Sequence, residues 1–102
     1  MKDFWKSKKV LVTGGAGFIG SYATRELIKR NSKVTIVVSP KTKSEHLKRV
    51  FGSFLDKITV EKLDLLDFNN FLKATKDKDI VLNFAAMDGG AKFKLEHSAE
   101  IF

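Results

Sequence analysis

The chain has 102 residues, 43% of them hydrophobic, and a formal net charge of +7. That is one small domain or part of one, with too much apolar content for a disordered segment and, lacking any cysteine, no disulfide or thiolate metal site. The charged opening Met1-Lys2-Asp3-Phe4-Trp5-Lys6 is no signal peptide, and no uninterrupted apolar stretch nears the roughly 20 residues of a membrane span, so the expectation is a soluble, cytoplasmic protein with no membrane contact.

Phe4 and Trp5 read as a short lead-in that packs on a sheet edge or a neighbouring helix. Val10, Leu11 and Val12 form an apolar, partly β-branched run that suits a strand buried on both faces. Thr13 to Gly17 is a glycine-rich turn, and Phe18 to Arg30 has helical spacing, with Ile19, Ala23 and Leu27 on one face. Asn31-Ser32 reads as the stop of that helix. Gly14, Gly17 and Gly20 recur at a fixed interval across strand, turn and helix. Gly14 permits the tight turn. Gly17, without a Cβ, lets a pyrophosphate approach the helix N-terminus, and Gly20 lets the helix pack closely on the sheet. The helix start offers free N–H groups and a partial positive charge to an anion. A glycine triplet in this context is a dinucleotide-binding signal; the bland alternative is a tight turn that binds nothing.

Lys33 to Val38 is the second strand, β-branched almost throughout, as a central parallel strand should be. At its end, where dinucleotide-binding domains place an acid on the ribose 2′-hydroxyl, stand Ser39, Pro40, Lys41, Thr42 and Lys43. A serine and nearby lysines without a carboxylate favour a 2′-phosphate, hence NADP over NAD. Alternatively, Lys41 and Lys43 are a solvated loop before a helix.

Ser44 to Asp56 reads as a second helix with Leu47, Val50, Phe51, Phe54 and Leu55 on its apolar face, weakened or ended early by Gly52. His46 sits among polar neighbours and reads as a surface residue rather than a ligand or base. Ile58 to Leu63 is a third strand with the character of an edge. Asp67 suits the N-cap of a helix from Phe68 to about Lys76, with Phe68, Phe71 and Leu72 facing the sheet. Asp64, without such a duty, lies on the rim where ligands bind in open α/β sheets and suits the exocyclic amine of adenine. A loop carboxylate capping a backbone N–H is the competing account. Asp79 to Ala86 reads as a fourth strand, followed by small residues that let something lie against the backbone. Lys92 to Phe102 starts another helix, in which His97 reads as an ordinary helix residue. The lysines are spread from Lys2 to Lys94 without an arginine-rich run, so the charge does not point to nucleic acid; it suits an anionic dinucleotide or nucleotide-sugar.

Taken together, Thr13-Gly14-Gly15-Ala16-Gly17-Phe18-Ile19-Gly20-Ser21 resembles the cofactor motif of the extended short-chain dehydrogenase/reductases, the NAD-dependent epimerase/dehydratase family of nucleotide-sugar enzymes. Asp64-Leu65 matches the family's pair after the third strand, and Asn83-Phe84-Ala85-Ala86 its small-residue motif after the fourth. Gly89-Gly90 is similar, more faintly, to members acting on GDP-sugars. The resemblance implies an α/β, Rossmann-like parallel sheet in strand order 3-2-1-4 with flanking helices, truncated before the fifth strand. Residues 1–102 are then expected to be the N-terminal part of a dinucleotide-binding domain. It further implies that Gly14, Gly15, Gly17, Phe18, Ile19 and Gly20 belong to the cofactor-binding site, with Gly14, Gly15, Phe18 and Ile19 holding the pyrophosphate. Ser39 and Lys41 meet the adenosine ribose, Asp64 and Leu65 meet adenine, and Ala85 and Ala86 lie along the cofactor, NAD or NADP.

The family's catalytic Tyr-x-x-x-Lys pair has no counterpart here. The sole tyrosine, Tyr22, lies in the first helix with Glu26 where the lysine would stand. No catalytic or metal-ligating residue is therefore assigned, and this chain alone is not expected to turn over. Two functions stay open at this point: the NAD(P)-binding part of a nucleotide-sugar epimerase, dehydratase or reductase, or a free-standing dinucleotide-binding module without catalysis. An apolar fourth strand left as an open edge is expected to favour self-association.

Overall fold

Val10, Leu11 and Val12 have no exposed surface at all, because the strand that carries them lies inside a parallel sheet with a layer on each face. The computed structural model describes residues 4–85. Its elements run β1 (Lys9–Thr13), α1 (Phe18–Lys29), β2 (Lys33–Val38), α2 (Ser44–Phe51), a 3-10 segment (Gly52–Lys57), β3 (Ile58–Lys62), α3 (Phe68–Thr75) and β4 (Ile80–Asn83). The sheet order is β3-β2-β1-β4, all parallel, as the sequence reading expects. The chain runs outward from β1 through β2 to β3, then returns to the other side of β1. The strand order therefore reverses between β1 and β4, and open α/β sheets bind ligands at the carboxyl ends of the strands beside such a reversal.

Alternation along the strands sorts the core into two layers. Val10, Val12, Val34, Ile36 and Val38 face Leu27 and Ile28 of α1 and Leu47 and Phe51 of α2. On the other side, Leu11 and Val37 pack with Ala74 of α3, flanked by Leu63 and Leu65. Trp5 joins the first layer, and the Ser32 hydroxyl donates to the Trp5 carbonyl at 2.6 Å, which fixes the lead-in.

Helix ends follow their local chemistry. Asn31 adopts φ 65°, and the Asn31 and Ser32 N–H groups donate to the Ile28 and Leu27 carbonyls. That is a Schellman stop with asparagine in the left-handed position. The Asp67 carboxylate caps α3 by accepting from the Asn69 N–H at 2.9 Å.

Several boundaries and faces differ from the sequence expectation. The second helix is α only to Phe51; Gly52 at φ 53° breaks it, and the chain continues as a 3-10 turn. The buried stripe of α1 is Gly20, Ser21, Thr24, Leu27 and Ile28, whereas Ile19 is exposed. Small residues face inward there because the helix start lies against the glycine turn. Thr24 is fully buried, with its hydroxyl donating to the Gly20 carbonyl at 2.8 Å. In α3, Phe68 and Leu72 do not cover the sheet but stand largely exposed; Ala74 makes the buried contact. β4 is half the expected length, since Ala85 has already left the strand. The residues after it expected to begin a helix, Lys92 to Phe102, lie outside the described residues. No described helix is long and apolar enough to cross a membrane.

Candidate functional site

The glycine turn between β1 and α1 is held by backbone contact on every side. Gly14 sits at φ 66°, a conformation that side chains disfavour. Its N–H donates to the Val37 carbonyl, and its own carbonyl accepts from the Gly17 N–H, both at 3.1 Å. Gly15 is buried against β2: a Cβ there would lie 2.5 Å from the Ile36 Cβ. At Gly20 a Cβ would collide with the Gly14 carbonyl oxygen. Gly20 thus packs the helix against the turn itself, not against the sheet where the sequence reading places it.

Gly17 is the N-cap of α1, at φ −78° and ψ 177°, without a side-chain cap and with no acidic residue in the first turn. Among the described residues no group accepts from the N–H of Phe18, Ile19 or Gly20. These are the donors a helix start ordinarily leaves free, and the helix dipole adds partial positive charge. The side chains of Phe18 and Ile19 are exposed, at 81% and 44% of their surface, so only their backbone is offered to an anion.

Above the carboxyl ends of the strands lies a cleft of about 780 Å³, within the range of small-molecule sites. Gly14, Ala16 and Gly17 form its β1–α1 side. Val37, Val38, Ser39, Pro40, Thr42 and His46 form the wall after β2. Leu63, Asp64, Leu65, Leu66 and Phe71 form the wall after β3, and Asn83 and Ala85 close the β4 side. The β4 side is fixed by the buried Thr13, whose hydroxyl donates to Asn83 Oδ1 at 2.5 Å and accepts from the Ala85 N–H at 3.3 Å.

Of the residues singled out from sequence, Gly14, Gly17, Ser39, Asp64, Leu65 and Ala85 meet at this cleft. Gly15 and Gly20 lie beneath it as packing positions. Lys41 is exposed and not on the wall; its N–H donates to Ser39 Oγ at 3.2 Å. Ala86, Gly89 and Gly90 lie outside the described residues. Asp64 is exposed and does serve the local backbone, because its Oδ1 accepts from the Leu66 N–H at 3.0 Å. That leaves Oδ2 without a partner among the described residues.

His46, Thr42 and Phe71 also line the cleft, although the sequence reading assigns them no site role; so does Asn83, the first residue of the small-residue motif after the fourth strand. Asn83 follows from its place at the end of β4. His46 carries no such local signal, because its position depends on how the loop after β2 turns into α2. No described group of histidine, aspartate and glutamate side chains is arranged to hold a metal ion.

Comparison with known proteins agrees with this geometry. Residues 10–102 match the model of the NAD dependent epimerase/dehydratase family. The chain is 39% identical over 103 aligned positions to dTDP-4-dehydro-6-deoxy-D-allose reductase of Streptomyces bikiniensis, covering 97% of this chain and 31% of that protein. It is 38% identical over 95 positions to UDP-N-acetyl-alpha-D-glucosaminuronate decarboxylase of Bacillus cytotoxicus, covering 92% of this chain and 28% of that protein. Its fold matches a UDP-glucose-4-epimerase of Stenotrophomonas maltophila, solved with bound NAD and formylated UDP-arabinopyranose. The TM-score is 0.65 at 29% identity, over 87% of this chain and 28% of the other. The chain therefore spans less than a third of the length of these relatives.

Proposed function

Because this chain belongs to the NAD-dependent epimerase/dehydratase family, we propose that it is the dinucleotide-binding portion of a nucleotide-sugar epimerase, dehydratase or reductase. The observation that carries the reading is the start of α1. A bare Gly17 N-cap, three N–H groups without acceptors among the described residues, and no carboxylate in the first turn stand beside a cleft of about 780 Å³. That donor set fits a pyrophosphate, and a Cβ at the turn would block its approach.

In this reading Gly14, Gly15 and Gly20 build the turn, and the backbone N–H groups of Phe18 and Ile19 hold the pyrophosphate. Ser39, with Lys41 behind it, meets the adenosine ribose. Asp64 spends one oxygen on the Leu66 N–H and offers the other to the exocyclic amine of adenine, with Leu65 against the ring. Ala85 and Ala86 present little side chain and let the cofactor pass toward its nicotinamide end. Among the residues lining the wall after β2 there is no carboxylate, which favours NADP over NAD. When bound, the nicotinamide supplies hydride chemistry. The proton transfer at the sugar calls for a Tyr–Lys pair that these residues do not provide: Tyr22 is exposed on α1, with Glu26 four positions on.

Calorimetric titration of the chain with NADPH and NADH tests the proposal. Saturable binding of either, lost in Gly17→Asp, where a carboxylate would cap the helix and repel phosphate, is the expected result. Binding of neither overturns it.

A further inference from the structure

We propose that His46 reads the 2′-position of the adenosine ribose, pairing with a 2′-phosphate and giving the cleft its preference for the phosphorylated dinucleotide; this rests on the cofactor reading above. The sequence directs attention to Lys41 and Lys43, but neither is on the cleft wall. Both lysines are exposed, and Lys43, at the N-cap position of α2, makes no cap hydrogen bond with its side chain. The groups that do form the wall after β2 are Ser39, Pro40, Thr42 and His46.

The loop is folded to bring them together. The Thr42 N–H donates to the Ser39 carbonyl at 2.9 Å, and the Lys41 N–H to Ser39 Oγ at 3.2 Å. Two bonds onto one residue close the turn, so α2 starts at Ser44 and presents His46 from its first turn. The His46 N–H donates to the Lys43 carbonyl, and no described residue hydrogen-bonds its imidazole. Ser39 Oγ already accepts, so its hydroxyl proton remains to be donated. The wall thus offers two hydroxyls and an imidazole. Imidazole has an N–H donor in either tautomer, which a phosphate oxygen can accept. A bare ribose hydroxyl would instead be met by a carboxylate. Among the described residues, the carboxylate lining the cleft is Asp64, on the wall after β3.

The test is the ratio of NADPH to NADH affinity, measured calorimetrically for the native chain and for His46→Ala, His46→Arg and Lys41→Ala. One lost charge-assisted hydrogen bond lowers NADPH affinity about tenfold in H46A, with NADH affinity unchanged and the preference restored in H46R. The unchanged NADH affinity also shows that the H46A chain is folded. Equal losses for both dinucleotides would mean that His46 stacks on adenine and overturn the assignment. So would a preference that collapses in K41A but survives H46A, or a native chain that binds NADH at least as tightly. If the native chain binds neither, the cofactor reading itself fails and the assignment goes with it.

Discussion

The two ends of the cleft are built on opposite terms. At the β1–α1 end the surroundings leave no room for side chains: a Cβ on Gly15 or Gly20 would overlap a neighbour. In the proposed reading recognition there rests on the backbone, and the same close packing that shapes the turn also holds β1, α1 and β2 together. At the other end Ser39, His46 and Asp64 are exposed side chains on loops and a helix start. They can change without disturbing the core. One end couples folding to binding, and the other leaves them separable.

The sharpest way to break that contrast is Gly20→Val. Its Cβ would meet a backbone carbonyl, which has no rotamer to escape into. A destabilisation of about 3 kcal/mol or more is expected in chemical denaturation, together with loss of dinucleotide binding. A stability loss under about 1 kcal/mol would show that the turn yields readily and that the two ends are not so different. Gly15→Ala should follow at about 1–3 kcal/mol, because the obstructing Ile36 atom is a Cβ that side-chain rotation cannot move. Thr13→Val removes the bond to Asn83 Oδ1 and one of the two acceptors of the Ala85 N–H, leaving Asn83 Oδ1 as the other. About 1–2 kcal/mol is expected from the urea midpoint.

Smaller effects sharpen the comparison. Asp64→Ala leaves the Leu66 N–H without its acceptor and should cost about 0.5–1 kcal/mol, whereas Asp64→Asn keeps that acceptor and should cost less. Gly17→Ala should hardly change stability, by about 0.5 kcal/mol or less, since φ −78° and ψ 177° suit any residue. Its dinucleotide affinity should nonetheless fall measurably by calorimetry. A G17A chain that binds as well as the native one would remove Gly17 from the phosphate path.

Much of the fold is legible in the sequence because the decisive signals are local. The run Val10-Leu11-Val12, the β-branched Lys33–Val38 segment, the Asn31 stop and the Asp67 cap each act within a few residues. Boundaries slip where a neighbour decides. Asp79 to Ala86 has the composition of a long strand, yet pairing ends at Asn83 opposite Thr13, where β1 itself ends. Hydrophobicity alone puts Phe68 and Leu72 on the sheet, but the contact of α3 with Leu11 and Val37 is made through Ala74.

The sequence by itself determined the first strands and the glycine turn, because those depend on local composition and on where a Cβ is missing; the strand order 3-2-1-4 came from the family resemblance, and the structure has it. Only the tertiary structure decided that Gly20 serves the turn rather than the sheet, that Lys41 stands off the cleft and that His46 stands on it. Those assignments depend on which atoms of distant segments meet, and spacing along the chain does not encode the angle at which a loop leaves a strand or a helix crosses it.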